Sequence, residues 1–339
     1  MGRRLSKEEH IAVLYWAQNF KCCPRILNRT LSARNIADLF DQDLRKYWNL
    51  CALSRNRKVD SMLVKEAYKL LFTTRVGIEK QIAKTIHGRL KLQPSEVKYL
   101  AVGTVFGRSL KQGLSMRFPL YSCQPTVSCS GSCYAHDGLD ASIASVVRGV
   151  FNGTLAELFE SGNKEYQDKI IGLIKPHCNS AIRAAFREVD NLPDKWKRAP
   201  RIRFAHVGEA GTFPKFSSKI AEYFKKESGG KIVCAVYTRH RRASDLSPTL
   251  FVVNFTLDRD SLEERKGWVP SWARTVFSAF DGGVSSDVDV NFIEHHQNGY
   301  YAKPTGEGKI CPATLPQATE HFCDSCRCDL CFTMPETRK

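Results

Sequence analysis

Three short apolar runs constrain the fold of this chain more than anything else in it. They are Arg201–Val207 (RIRFAHV), Lys231–Tyr237 (KIVCAVY) and Leu250–Thr256 (LFVVNFT). Each is short for a helix, and we read each as a near-continuous apolar run. Strands that read this way are buried on both faces, the mark of a parallel sheet covered by helices. Weaker runs of the same kind follow at Thr275–Ala279 and Val288–Ile293. A helix fits at Phe216–Lys226, and others fit over 258–264 and 268–274. Upstream, Arg117–Cys123 reads as a further short strand, and residues 140–190 as helical, with faces built on Val146, Val150 and Ile170. The expected fold class is therefore α/β, a parallel sheet or an α/β barrel. No stretch approaches the ~18 uninterrupted apolar residues of a membrane span, so no membrane association is expected.

In such folds chemistry collects at the carboxyl ends of the strands. Here those ends carry functional side chains one after another. They are Cys123, the segment His206–Thr212 with Glu209, the segment Thr238–Arg242 with Arg239, then Asn254 and Asp258, Asp281, and His295–His296. Six such ends in succession point to a ligand or active site along that edge. Asp258 and Glu209 are the candidates for general acid and base. Nucleotide-binding, serine-hydrolase and zinc-protease motifs are absent from the sequence.

The 13 cysteines fall mostly into two clusters. Cys123, Cys129 and Cys133 form C-x5-C-x3-C in a Gly/Ser-rich loop. Cys311, Cys323, Cys326, Cys328 and Cys331 crowd the tail. An odd total, tight spacing and a charged leader (MGRRLSKEEH) lead us to expect reduced thiols that bind metal in a cytoplasmic protein. Three protein thiolates leave a coordination position open for water, substrate or cofactor. The alternative is a closed zinc site completed by His136 or a tail cysteine. In the tail only Arg327 separates two C-x2-C pairs, so one metal site or cluster fits better than two separate knuckles.

These motifs resemble the radical SAM enzymes. Three cysteines follow the first strand, Val207-Gly-Glu-Ala-Gly211 is similar to that family's Gly-Gly-Glu-type end of the second strand, and the ends at Arg239 and Asp258 are similar to its third and fourth. The same combination, with its cysteine-rich tail, also resembles a phage protein family named only for its gene-product number, eighty-eight. Together the resemblance spans about residues 117–335. It departs from the radical SAM pattern, where the cysteine spacing is C-x3-C-x2-C. The resemblance implies a partial (β/α) barrel and a [4Fe–4S] cluster on Cys123, Cys129 and Cys133. It implies S-adenosylmethionine held by Gly208, Glu209 and Gly211. Glu209, Arg239, Asn254 and Asp258 would then contact cofactor or substrate.

The net charge of +16 is not evenly spread. Residues 1–120 hold 23 basic and 9 acidic residues, and the remainder is nearly balanced at 28 and 26. The first 115 residues read as a basic helical domain. Helices are expected at 61–72 and 78–87, broken near Gly77. Arg45, Lys46, Arg55, Arg57 and Lys58 are the candidate nucleic-acid contacts, because such a field attracts phosphate backbones whatever their sequence.

The expected organisation is a basic helical domain (1–115), an α/β barrel-like domain (116–310) and a cysteine-rich metal tail (311–339). The expected function is that of an iron–sulfur enzyme acting on nucleic acid or a nucleotide, of phage or mobile-element origin. The alternative is a non-catalytic zinc protein that binds nucleic acid.

Overall fold

A computed structural model describes residues 42–45, 47–48, 61–90, 105–109, 113–136, 138–194, 197–280, 283–293, 305–311 and 330–333. Its centre is a seven-stranded sheet: β1 (Phe106–Ser109), β2 (Gly113–Met116), β3 (Arg201–Phe204), β4 (Val233–Thr238), β5 (Val252–Leu257), β6 (Arg274–Ala279) and β7 (Val290–Ile293). Strands β1 and β2 form an antiparallel pair. Every later neighbour is parallel, and the spatial order is the sequence order from β1 to β7. The helices are α1 (Ser61–Leu90), α2 (Val127–Gly131), α3 (Ile143–Glu160), α4 (Lys164–Asp190), α5 (Pro214–Glu227) and α6 (Leu262–Arg265).

Strand order decides where the helices go. Right-handed crossovers between parallel strands that never reverse direction across the sheet all fall on one side. Accordingly Ile202, Phe204, Cys234, Val236 and Val253 share one core with Val146 and Val150 of α3 and Phe216, Ile220 and Phe224 of α5. The other face is different. Register puts Arg203 beside Ala235, Ala235 beside Val252, and Tyr237, Asn254 and Arg274 in one row. The near-continuous apolar reading thus holds for the helix-covered face and overlooks a polar one.

Local chemistry sets several boundaries away from their expected places. The strand before the three-cysteine loop ends at Met116, ahead of the expected run at 117–123. Pro119 has no N–H to give a ladder, and Leu120–Ser122 turn as a 3-10 helix instead. The helical stretch at 140–190 is two helices. Ser142 caps α3, Asn163 caps α4, and Gly162 between them takes φ +80. The expected break near Gly77 does not occur. Helix α1 runs through it because Leu71, Ile78, Ile82 and Ile86 are all buried, which outweighs the ~1 kcal/mol cost of a helical glycine. The helix expected over 268–274 is a turn, since Pro270 holds Val269 extended and Arg274 opens β6.

The expected boundary between residues 115 and 116 falls inside β2. The first-domain residues Leu44, Tyr47, Leu71 and Ile82 belong to the same core as the sheet and α3. Among the described residues, no helix is long and apolar enough to cross a membrane.

Candidate functional site

The loop after β2 brings the first cysteine cluster together. The 3-10 turn ends at Cys123, and Thr126 caps α2 by accepting the Cys129 N–H at 3.1 Å. Cys133 follows α2 directly. The Cys123 thiol is pushed well above its usual pKa, first by burial, then by Glu209, Cys133, Cys129 and Glu79. Each of those groups therefore lies within electrostatic reach of Cys123. Among the described residues the cysteines form no disulfide, and no three His, Cys, Asp or Glu side chains are arranged to hold a metal ion as they stand.

Helix α1 clamps this loop from below. Arg75 and Glu79 form a buried i,i+4 ion pair at 2.8 Å. Glu79 Oε2 accepts the Leu120 N–H at 2.5 Å, at the loop's start, and Arg75 donates to the Ala135 carbonyl just past Cys133. One ion pair thus holds both ends of the cysteine segment. A carboxylate and a guanidinium on the buried face of a helix must find such partners, because desolvation without them is costly.

The chain leaves β3 in an unusual backbone. Ala205 has φ +57 and Gly208 has φ +80. A Cβ on Gly208 would lie 2.6 Å from the Phe118 backbone carbon, so only glycine lets the two loops press together. The result is that the Glu209 N–H donates to Ser122 Oγ at 2.9 Å, and its side chain lies within electrostatic reach of Cys123. Gly211 allows a second close approach, since a Cβ there would sit 2.8 Å from His240 Cβ. The two glycines expected to hold a cofactor are accounted for by loop packing.

Glu209 is buried. Its Oε1 accepts the Arg239 N–H at 3.0 Å, and its Oε2 has no hydrogen-bond partner among the described residues. Burial pushes its pKa up to about 7, against the pull of Thr238, of the Arg239 N–H, and of the Arg239 and Arg265 guanidiniums.

Asp258 is held very differently. Its Oδ2 accepts from Thr126 Oγ1 at 2.6 Å and from Arg239 Nη1. Its Oδ1 accepts from the N–H and hydroxyl of Ser261 at 3.1 and 2.8 Å. Arg239 also donates to Ser278 at 3.2 Å. The network joins the loop after β2 to the strand ends at β4, β5 and β6. Arg265 adds a hydrogen bond to the Gln124 carbonyl at 2.7 Å. Arg239 therefore stands between the two carboxyls expected to work as acid and base, contacting both.

Comparison with protein-family models, curated proteins and solved structures gives no match.

The remaining candidates sit elsewhere. Asn254 lies mid-strand rather than at the edge. It hydrogen-bonds the Cys331 carbonyl at 3.0 Å and accepts from Arg274 at 3.2 Å, so it anchors the tail segment 330–333. Cys311 is buried against Val276 and Val290. Cys323, Cys326 and Cys328 lie outside the described residues, as do Lys46, Arg55, Arg57 and Lys58. Arg45 is exposed on the short helical segment 42–45. Sequence reasoning missed Arg75, Glu79 and Thr126. The signal for the first two was legible, since both fall at helical spacing among Leu71, Ile78 and Ile82 and so point inward. It also missed His240, whose pKa is pushed down to about 4 by burial and by Arg242 and Arg241, which keeps it neutral.

Proposed function

We propose that this chain is an iron–sulfur enzyme, radical SAM-like, acting on a nucleotide or nucleic acid, with β2–β7 and their helices as a partial (β/α) barrel. One observation carries the reading. After the first parallel strand, Cys123 lies within electrostatic reach of Cys129, of Cys133 and of Glu209, a buried carboxyl with one oxygen unpartnered among the described residues. The donor set suits an iron–sulfur cluster, because sulfur is the ligand such clusters take and three thiols leave one iron open. Cys123, Cys129 and Cys133 would hold the cluster, which when bound supplies one electron to S-adenosylmethionine.

The other residues have work that follows from their partners. Glu209 Oε2 would accept a cofactor's ammonium group, and a cation there would draw the carboxyl back to its charged form. Arg239 and Asp258 fix the loop that carries the thiols. Gly208 lets that loop press on the exit of β3, and Gly211 lets the exit of β3 press on that of β4.

Purification without oxygen tests the reading. Iron and sulfide in the protein, with broad absorption near ~400 nm, support it. A colourless protein that holds zinc overturns it in favour of a structural zinc protein. If the iron form binds S-adenosylmethionine, Glu209→Ala weakens that binding at least about tenfold, as expected for loss of a charged hydrogen bond. Unchanged binding removes Glu209 from the cofactor site.

A further inference from the structure

The face of the sheet turned away from the helices buries two arginines, Arg203 and Arg274, that no carboxylate pairs with among the described residues. Arg203 is 6% exposed and Arg274 is 4% exposed. The Arg203 guanidinium lies 4.1 Å from the centre of the Tyr237 ring, and Tyr237 stands in register with Asn254 and Asn254 with Arg274. Arg274 donates to Asn254 Oδ1 at 3.2 Å and to the Thr333 carbonyl at 2.9 Å, both neutral. Arg203 Nε has no partner among the described residues. Of the buried carboxylates, Glu79 pairs with Arg75 and Asp258 with Arg239, partly buried Asp140 pairs with Arg117, and Glu209 takes the Arg239 N–H. Among the described residues, none pairs with Arg203 or Arg274.

A buried lysine or histidine escapes this position by losing its proton. Arginine does not, because its guanidinium stays charged. An arginine out of water without a carboxylate is therefore in want of an anion. The planar fork of N–H donors fits an oxyanion in a bidentate manner, and a phosphomonoester offers a guanidinium charge near −2 at neutral pH where a carboxylate offers one. We infer that this face of the sheet binds a phosphorylated small molecule, whose phosphate accepts from the unpartnered Nε–H of Arg203. The inference deepens the functional reading above by naming the substrate class. It rests on that reading only for the statement that the bound molecule is a substrate.

Calorimetry and thermal melts on the full-length protein test it, with AMP and inorganic phosphate as probes and adenosine and acetate as controls. AMP and phosphate should bind and raise Tm with concentration, while adenosine and acetate should not. Arg203→Met should weaken AMP binding at least about tenfold, as loss of a charge-assisted bond predicts. Without ligand the same variant should melt no lower than the wild type, since it removes an unbalanced buried charge. Arg203→Lys, which keeps the charge and loses the fork, should bind AMP with intermediate affinity. Equal AMP affinity in the wild type and either variant overturns the inference. So does adenosine or acetate binding as well as AMP. Ligand-free destabilisation of Arg203→Met, matched by Arg203→Lys, also overturns it by showing a structural role. Iron content of the same preparation decides the cluster reading separately, so the two fail independently.

Discussion

Two strand ends on one edge of the sheet each bury a carboxyl group, and they treat it differently. After β5, Asp258 has both oxygens engaged, by Thr126 and Arg239 on one and Ser261 on the other. After β3, Glu209 has one oxygen on the Arg239 N–H and the other unpartnered among the described residues, and burial holds its pKa near 7. Strand direction does not separate them, since both lie past the carboxyl ends of parallel strands. Partner supply does. The loop after β5 brings Ser261 back onto Asp258, whereas the strained exit of β3 through Ala205 and Gly208 turns Glu209 toward the thiols. A satisfied carboxylate braces structure, while an unsatisfied one is available to a ligand.

The contrast can be broken by substitution, and the largest effect is expected on the satisfied side. Asp258→Ala strands the Arg239 guanidinium and releases Thr126, so it should cost about 3–5 kcal/mol, read by urea unfolding. A loss under about 1 kcal/mol would mean that the ion pair is not the brace it looks like. Gly208→Ala forces a Cβ against the Phe118 backbone in a left-handed conformation. It should cost about 2–3 kcal/mol and loosen the three-cysteine loop, measurable as faster thiol labelling of Cys123. Glu209→Gln should change stability least, within about 1 kcal/mol at neutral pH, because it keeps the shape of a group that is already half neutral.

The informative readout for Glu209→Gln is pH. The raised pKa means that the folded chain keeps a proton the unfolded chain gives up. The stability from protonated Glu209 is full below the ordinary value of 4.5 and is lost as pH rises through about 7. Wild-type stability should therefore fall over that window, and the variant should lack that part of the fall. An identical slope in both proteins would place the Glu209 carboxyl in water, and the contrast with Asp258 would disappear.

Much of the frame was legible before any coordinates. Continuous apolar runs with helical spacing between them read as parallel strands, and five of them are β3 to β7, because burial on both sides of a backbone ladder demands that composition. The edge positions of Cys123, Glu209, Arg239 and Asp258 were legible for the same reason, since a strand end is where polarity returns. Misplaced boundaries came from single residues. Pro119 and Pro270 lack a donor and fix φ, while Gly77 was overruled by the buried residues around it. Asn254 was misjudged as an edge residue because an isolated polar letter near a strand end does not reveal how far the strand continues.

The sequence by itself determined the fold class and the standing of Cys123, Glu209, Arg239 and Asp258 past the carboxyl ends of the strands. Both follow from local composition and period, which one strand or loop carries alone. Tertiary structure decided what those residues do. Arg75 and Glu79 hold a loop more than 40 positions away, Gly208 is required by Phe118, Arg239 parts two carboxyls, and Arg203 is buried beside Tyr237 without a carboxylate partner among the described residues. Each of these depends on which groups lose water together. Desolvation is set by distant segments closing on one another, and no single stretch of chain contains it.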